Sequence, residues 1–246
     1  MDFEFEVNFY GYKYRGNLNN YIDRSVFFFG AHEKEQMNFS KKYIKDCIVI
    51  DCGSNTGNHS LFYSAFSKQV ISIEANETLV KDLKNRIHLN KISNIDTYNC
   101  GAGSQNAKSL PFYISESDNY GVSSFIDNFA PNNSIIKQVE IKTLDSIVMN
   151  YKNSKIGFIK IDCEGFDYEV LKGARGLISR DMPLIQIEYN PRDLNKLNDF
   201  LVQHPMYTPM SLIVNQPFFI FNFYKGDLST FNSKLRSEVF LIPEFK

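Results

Sequence analysis

Asp51, Gly53, Asn55 and Gly57 fall in one short stretch, "IVIDCGSNTGNHS", which opens on an apolar run. Glycines let a backbone turn through positive φ and let a ligand come close to its N–H groups. A carboxylate ahead of such a turn repels a pyrophosphate and favours a ligand that carries positive charge. Glu74 ends the next apolar run, "QVISIE". A carboxylate at that position can accept hydrogen bonds from both hydroxyls of a ribose. Further on, "KIDCEG" sets Lys160, Asp162 and Glu164 at alternate positions. A carboxylate there can take or steer a proton, as can the imidazole of His59 just beyond Gly57. The chemistry in view is a nucleoside held on a glycine turn with proton-handling groups beside it.

These groups need elements to position them. "CIVID" (47–51) is short and apolar, as a strand buried on both faces should be. "NHSLFYSAF" has a helical pattern, "QVISIE" (69–74) is a second buried strand, and "NIDTYN" (94–99) a third. Between the last two, Asn76 is a candidate N-cap, and Leu79, Leu83 and Ile87 share one helical face. Strands and helices alternating at this spacing predict a parallel sheet with right-handed crossovers. "SLPFYI" and "VEIKTLDSI" predict a strand and a strand–helix pair around an irregular middle. "IGFIKID" and "PLIQIEY" predict two more buried strands, with "FDYEVLKGARGLI" a short helix between them. "DLNKLNDFL" predicts a helix, and the aromatic tail predicts antiparallel strands closing a sheet edge. The fold class expected is α/β, a Rossmann-like doubly wound, mostly parallel sheet with antiparallel C-terminal strands. Residues 1–45 are set apart as an N-terminal extension, and residues 46–246 form the main domain.

The glycine spacing discriminates between nucleosides. A dinucleotide turn has the form G-x-G-x-x-G, and a triphosphate loop ends in G-K-[ST]. Here the form is D-x-G-x-N-x-G, and neither pattern is present. S-adenosylmethionine carries both an ammonium and a sulfonium, which suits Asp51. "NCGAGS" follows the third strand, where Gly101 and Ala102 leave room for an adenine ring.

"VIDCGSNTGNHS" resembles the first motif of class I S-adenosylmethionine-dependent methyltransferases, and more narrowly that of the FkbM family. Ser54 stands where the family usually has alanine. "VISIEAN" resembles the family's second strand, with Ala75-Asn76 in place of Pro-Asn. "VEIKTLDSI" and "IGFIKIDCEGFDYEVLKGA" resemble two later blocks, with Asp167 in place of the usual glutamate. The likeness covers about residues 45 to 190, and the last block is its most specific part. It implies methyl transfer from S-adenosylmethionine to a hydroxyl oxygen of a sugar, nucleotide-sugar, glycan or related metabolite. The cofactor-binding residues expected are Asp51, Gly53, Asn55, Gly57, Glu74, Ala75, Gly101 and Ala102. The catalytic candidates are Asp162, Glu164 and His59, with Glu188 weaker. Asp162 could equally pair with Lys160, and His59 could cap the first turn of its helix. His32, His88 and His204 read as structural or surface residues. No metal is expected. "GVSSF" (121–125) is a candidate cover for the ligand. The aromatic opening segment could stack on a sugar, pack as an arm or form a homodimer contact.

Composition sets the outer limits. The chain has 246 residues, 43% hydrophobic and 22% charged, with a formal net charge of -1. That balance gives no field for nucleic acid, so an RNA methyltransferase is the rival enzyme reading rather than the first. A scaffold that binds the cofactor without catalysis is the non-enzyme alternative. Cys47, Cys52, Cys100 and Cys163 form no C-x-x-C pair. They suit buried free thiols and a cytoplasmic setting. No apolar run is long enough to span a bilayer, and the first residues do not read as a signal peptide.

Overall fold

The computed structural model describes residues 3–115, 123–127, 134–188, 193–215, 220–225 and 238–244. An antiparallel hairpin, β1 (Glu4–Phe9) and β2 (Tyr12–Asn17), comes first. Its turn is Tyr10-Gly11, both with positive φ, as a two-residue hairpin turn requires. Helix α1 (Tyr21–Phe29) is capped by Asn20, whose side chain accepts from the N–H groups of Ile22 and Asp23, and it ends at the left-handed Gly30. Helix α2 (Lys34–Ser40) follows.

The main sheet starts with β3 (Ile48–Cys52), α3 (Asn58–Phe66), β4 (Gln69–Glu74), α4 (Glu77–Asn90) and β5 (Ile95–Asn99). Asn76 caps α4 through the Thr78 N–H, as its position implied. Beyond the irregular middle come β9 (Ile156–Ile161), α6 (Asp167–Lys172), α7 (Arg175–Asp181), β10 (Leu184–Glu188), α8 (Leu194–Gln203), β11 (Tyr207–Asn215), β12 (Ile220–Lys225) and β13 (Glu238–Pro243). The strand order is β12-β11-β13-β10-β9-β3-β4-β5. From β10 to β5 every pairing is parallel. The Rossmann-like, mostly parallel sheet expected from the sequence is present.

Three details differ from the sequence reading. The C-terminal strands do not simply close an edge. β13 inserts between β10 and β11, antiparallel to both, and β12 forms the edge. The short helix expected over "FDYEVLKGARGLI" is two helices, broken at Gly173-Ala174. The break has a packing cause: a Cβ on Gly173 would overlap the Gly103 carbonyl oxygen, while the Gly173 carbonyl accepts from Asp145 N. The middle strands leave the main sheet. β6 (Gly101–Ala102), β7 (Ala107–Ile114) and β8 (Ile135–Lys142) form a sheet of their own, with α5 (Leu144–Ile147) after β8.

Alternation along the strands divides the core between the two sheet faces. Ile48, Ile50, Ile71, Ile159 and Ile161 pack with α6 and α7 on one side. Val49, Val70 and Phe158 pack on the other with Leu61, Phe62 and Tyr63 of α3. Phe9, Tyr14, Val26, Met37 and Phe39 join that second core, so the N-terminal segment covers the α3 side. Among the described residues, no helix is long and apolar enough to cross a membrane.

Candidate active site

The glycine turn leaves the carboxyl end of β3. Gly53 has φ +74, and a Cβ there would overlap the backbone carbonyl of Asp162, so the turns after β3 and β9 touch. Asn55 is also left-handed, with φ 50. Its N–H donates to Glu74 Oε2 at 2.9 Å, and the Asn76 N–H donates to Glu74 Oε1 at 2.8 Å. Glu74 thereby ties the glycine turn to the start of α4. Burial pushes its carboxyl up to about 7, against these two stabilising N–H groups. Gly57 serves packing, since a Cβ there would overlap Leu83 of α4. Asp51 stands behind the turn, fully buried, with Oδ2 accepting from the Ser60 hydroxyl at 2.6 Å. It lines neither cavity at this end of the sheet. Strand alternation turns its side chain toward the α3 face.

The end of β9 brings the other acids in. Lys160 is buried, and its Nζ lies 2.7 Å from Asp162 Oδ2, the pairing that sequence left open. Glu164 and Gly165 turn with φ 46 and 88. Asp167 holds that loop by accepting from the N–H groups of Cys163 and Gly165 at 2.9 and 3.0 Å. Burial, reinforced by nearby Asp162, pushes Glu164 and Glu188 each up to about 8.

Two cavities meet here. The narrower, about 50 Å³, is walled by Ile73, Ala75, Leu79, Ala102, Phe112 and Phe125, with Glu74 and Gly101 also on its surface. The larger, about 200 Å³, is polar and bears Tyr21, His32, Glu33, His59, Lys160 and Glu188. Gly53, Asn55, Asp162 and Glu164 line both. Ser54 lines the polar cavity with a buried hydroxyl that has no protein partner. Of "GVSSF", Ser123 and Phe125 line the narrow cavity, and Gly121 and Val122 lie outside the described residues.

Two sequence readings change. His59 caps nothing, because the N-cap of α3 is Gly57; its Nε2 lies 3.2 Å from Glu33 Oε2. His32, read as structural or surface, lines the polar cavity with Nε2 at 3.9 Å from Glu33 Oε1. Desolvation lowers the proton affinity of His32, partly offset by Glu33. Glu33 and His32 were missed, since "AHEKE" has no pattern of its own and meets α3 only in the folded chain.

A family profile described as "Methyltransferase FkbM domain" matches residues 51–208. The chain belongs to the FkbM methyltransferase family. Its cofactor is S-adenosylmethionine. No curated protein sequence matches the chain. Among solved structures, the chain is similar to methyltransferase FkbM from Methylobacillus flagellatus, with 20% identity over 80% of this chain and a TM-score of 0.52. It spans 43% of that protein's length. Trm5b from Pyrococcus abyssi is similar at 12% identity over 98% of this chain and 56% of its own, with a TM-score of 0.51. At these identities the likeness is one of fold. The described residues of this FkbM domain suit the cofactor by their chemistry: an apolar slot with the strand-end carboxyl of Glu74 on its surface.

Proposed function

We propose that the protein transfers the methyl group of S-adenosylmethionine to a hydroxyl oxygen of a sugar, glycan or similar polyhydroxylated metabolite. The observation that carries this reading is the meeting of an apolar and a polar cavity at Gly53, Asn55, Asp162 and Glu164. The apolar slot suits the adenosine, with Glu74 toward the ribose and Ala75, Gly101 and Ala102 beside the base. When bound, the cofactor supplies an activated methyl group. The polar cavity suits an acceptor rich in hydroxyls, which its hydrogen-bonding groups can orient. Asp162 and Glu164 at the junction serve the ammonium of the cofactor or the acceptor. Residues 46–246 are the methyltransferase domain in this reading, and residues 1–45 are its acceptor-side arm.

RNA is the competing acceptor. Among the described residues, the Glu33 and Asp162 carboxylates line the polar cavity, and its lysine, Lys160, is already paired with Asp162. That lining does not favour a phosphate backbone. Isothermal titration with S-adenosylmethionine tests the cofactor half of the reading, and absence of binding by folded protein rejects it. Formation of S-adenosylhomocysteine with pooled sugar fractions, and not with RNA, tests the acceptor half.

A further inference from the structure

We propose that Glu33 of the N-terminal segment is a positioning residue that orients His59 to take the proton of the acceptor hydroxyl. The inference rests on the methyl-transfer reading. Glu33 Oε2 and His59 Nε2 are both buried and lie 3.2 Å apart at ion-pair distance, and neither atom makes a hydrogen bond. The backbone of Glu33 is left-handed, with φ 54 and ψ 42, and its side chain does not cap α2. A glutamate in that conformation is strained, and such strain gathers where a side chain is held for use. A clasp one residue back sets the register. Asn58 Nδ2 donates to the His32 carbonyl at 3.2 Å, and the His32 N–H donates to Asn58 Oδ1 at 3.4 Å. With 32 clasped to 58, residues 33 and 59 face each other.

The other groups on this cavity are less suited to the proton. Asp162 is bound by the Lys160 ammonium at 2.7 Å. Glu164 and Glu188, each pushed up to about 8, are mostly protonated near neutrality and are better donors than bases. His32 is disfavoured as a cation by desolvation. His59 is left, facing Glu33 through Nε2, so Nδ1 is the nitrogen free for the acceptor. The partner of one imidazole nitrogen decides which nitrogen carries the proton. A carboxylate on Nε2 therefore keeps the lone pair on Nδ1. In the transfer, the acceptor O–H bond breaks and its proton goes to Nδ1. The oxygen lone pair forms the bond to the methyl carbon, and the electron pair of the carbon–sulfur bond stays with sulfur. The new imidazolium charge lies beside the Glu33 carboxylate, and the proton then passes to water.

The test is imidazole nitrogen NMR of the full-length protein labelled with ¹⁵N-histidine, alongside titration with S-adenosylhomocysteine. The expected wild-type result is His59 protonated on Nε2. Glu33→Gly removes the carboxylate and suits the left-handed backbone, so it is expected to fold and to lower the Nε2–H population measurably below that of the wild type. Glu33→Gln keeps an acceptor in place and is expected to restore it. His59 protonated on Nδ1 in the wild type, or a tautomer indifferent to Glu33→Gly, overturns the proposal. If S-adenosylhomocysteine binds while the tautomer ignores Glu33, this inference alone fails. If it does not bind, the methyl-transfer reading fails with it.

Discussion

Gly53 packs its Cα face directly onto the carbonyl oxygen of Asp162, where any Cβ would overlap. The turn after β3 and the turn after β9 are therefore one unit, joined further by the Asp162 N–H donating to the Cys52 carbonyl at 3.1 Å. Gly53→Ala adds that overlap to a positive φ that alanine resists. It is expected to cost at least about 2 kcal/mol. Urea denaturation measures the loss, and an unchanged midpoint would show that the two turns can part without cost.

Asp23 and Arg86 form a buried pair at 3.1 Å. Tyr14 donates to Asp23, and Arg86 also donates to the carbonyls of Arg15 and Thr56. This clamp joins the N-terminal segment to α4 and to the glycine turn. Asp23→Asn leaves Arg86 without its counter-charge and is expected to cost about 3–5 kcal/mol. Asp23→Leu combined with Arg86→Met should cost less than the two single losses summed. Denaturant midpoints of the singles and the double decide the matter.

Glu74 lines the narrow cavity, and its carboxyl oxygens accept the backbone N–H groups of Asn55 and Asn76. Glu74→Gln is expected to weaken S-adenosylmethionine binding by about 1–3 kcal/mol. Calorimetric titration of folded variant protein reads the change directly.

The pH dependence of stability has a defined sign. Glu74 is pushed up to about 7, and Glu164 and Glu188 to about 8, from the ordinary 4.5. The folded protein holds these protons to higher pH than the unfolded chain does. Their stabilising contribution is full below the ordinary value and is lost as pH rises through 7 and 8. His32 acts the other way, but only below its ordinary value of 6.5. The melting temperature of the ligand-free protein is thus expected to fall from pH 6.5 to 8.5. A combined Glu164→Gln and Glu188→Gln variant should flatten that slope in a fluorimetric melt.

Ser54 buries a hydroxyl that no protein group satisfies. An unsatisfied buried polar atom costs about 1–3 kcal/mol. Ser54→Ala is expected to leave the melting temperature unchanged or raised. Because the hydroxyl lines the polar cavity, the same variant should raise KM for the acceptor more than it lowers kcat. A marked loss of stability would mean that the hydroxyl is already bonded within the protein.

Elements whose information is local were legible. The Asn76 cap, the buried strands at 48–52, 69–74 and 156–161, and the Leu79–Leu83 face of α4 follow from residue type and period alone. Period also bore on Asp51, since Val49 and Asp51 share a strand face and Val49 packs under α3. The break at Gly173 was not legible, because its cause is the Gly103 carbonyl from another part of the chain.

The sequence by itself determined the family, the alternating strands and helices of residues 47–99, and the glycine turn after the first of those strands. Each is written in contiguous residues with local periods and backbone preferences. Tertiary structure alone decided which acids reach the cavity, that Lys160 is committed to Asp162, and that Glu33 faces His59. Residues 33 and 59 share no local pattern, and their meeting depends on a hairpin and a helix packing over α3 and on the clasp between His32 and Asn58. Burial then set the charge of Glu164 and Glu188, because desolvation exists only once the chain has closed around them.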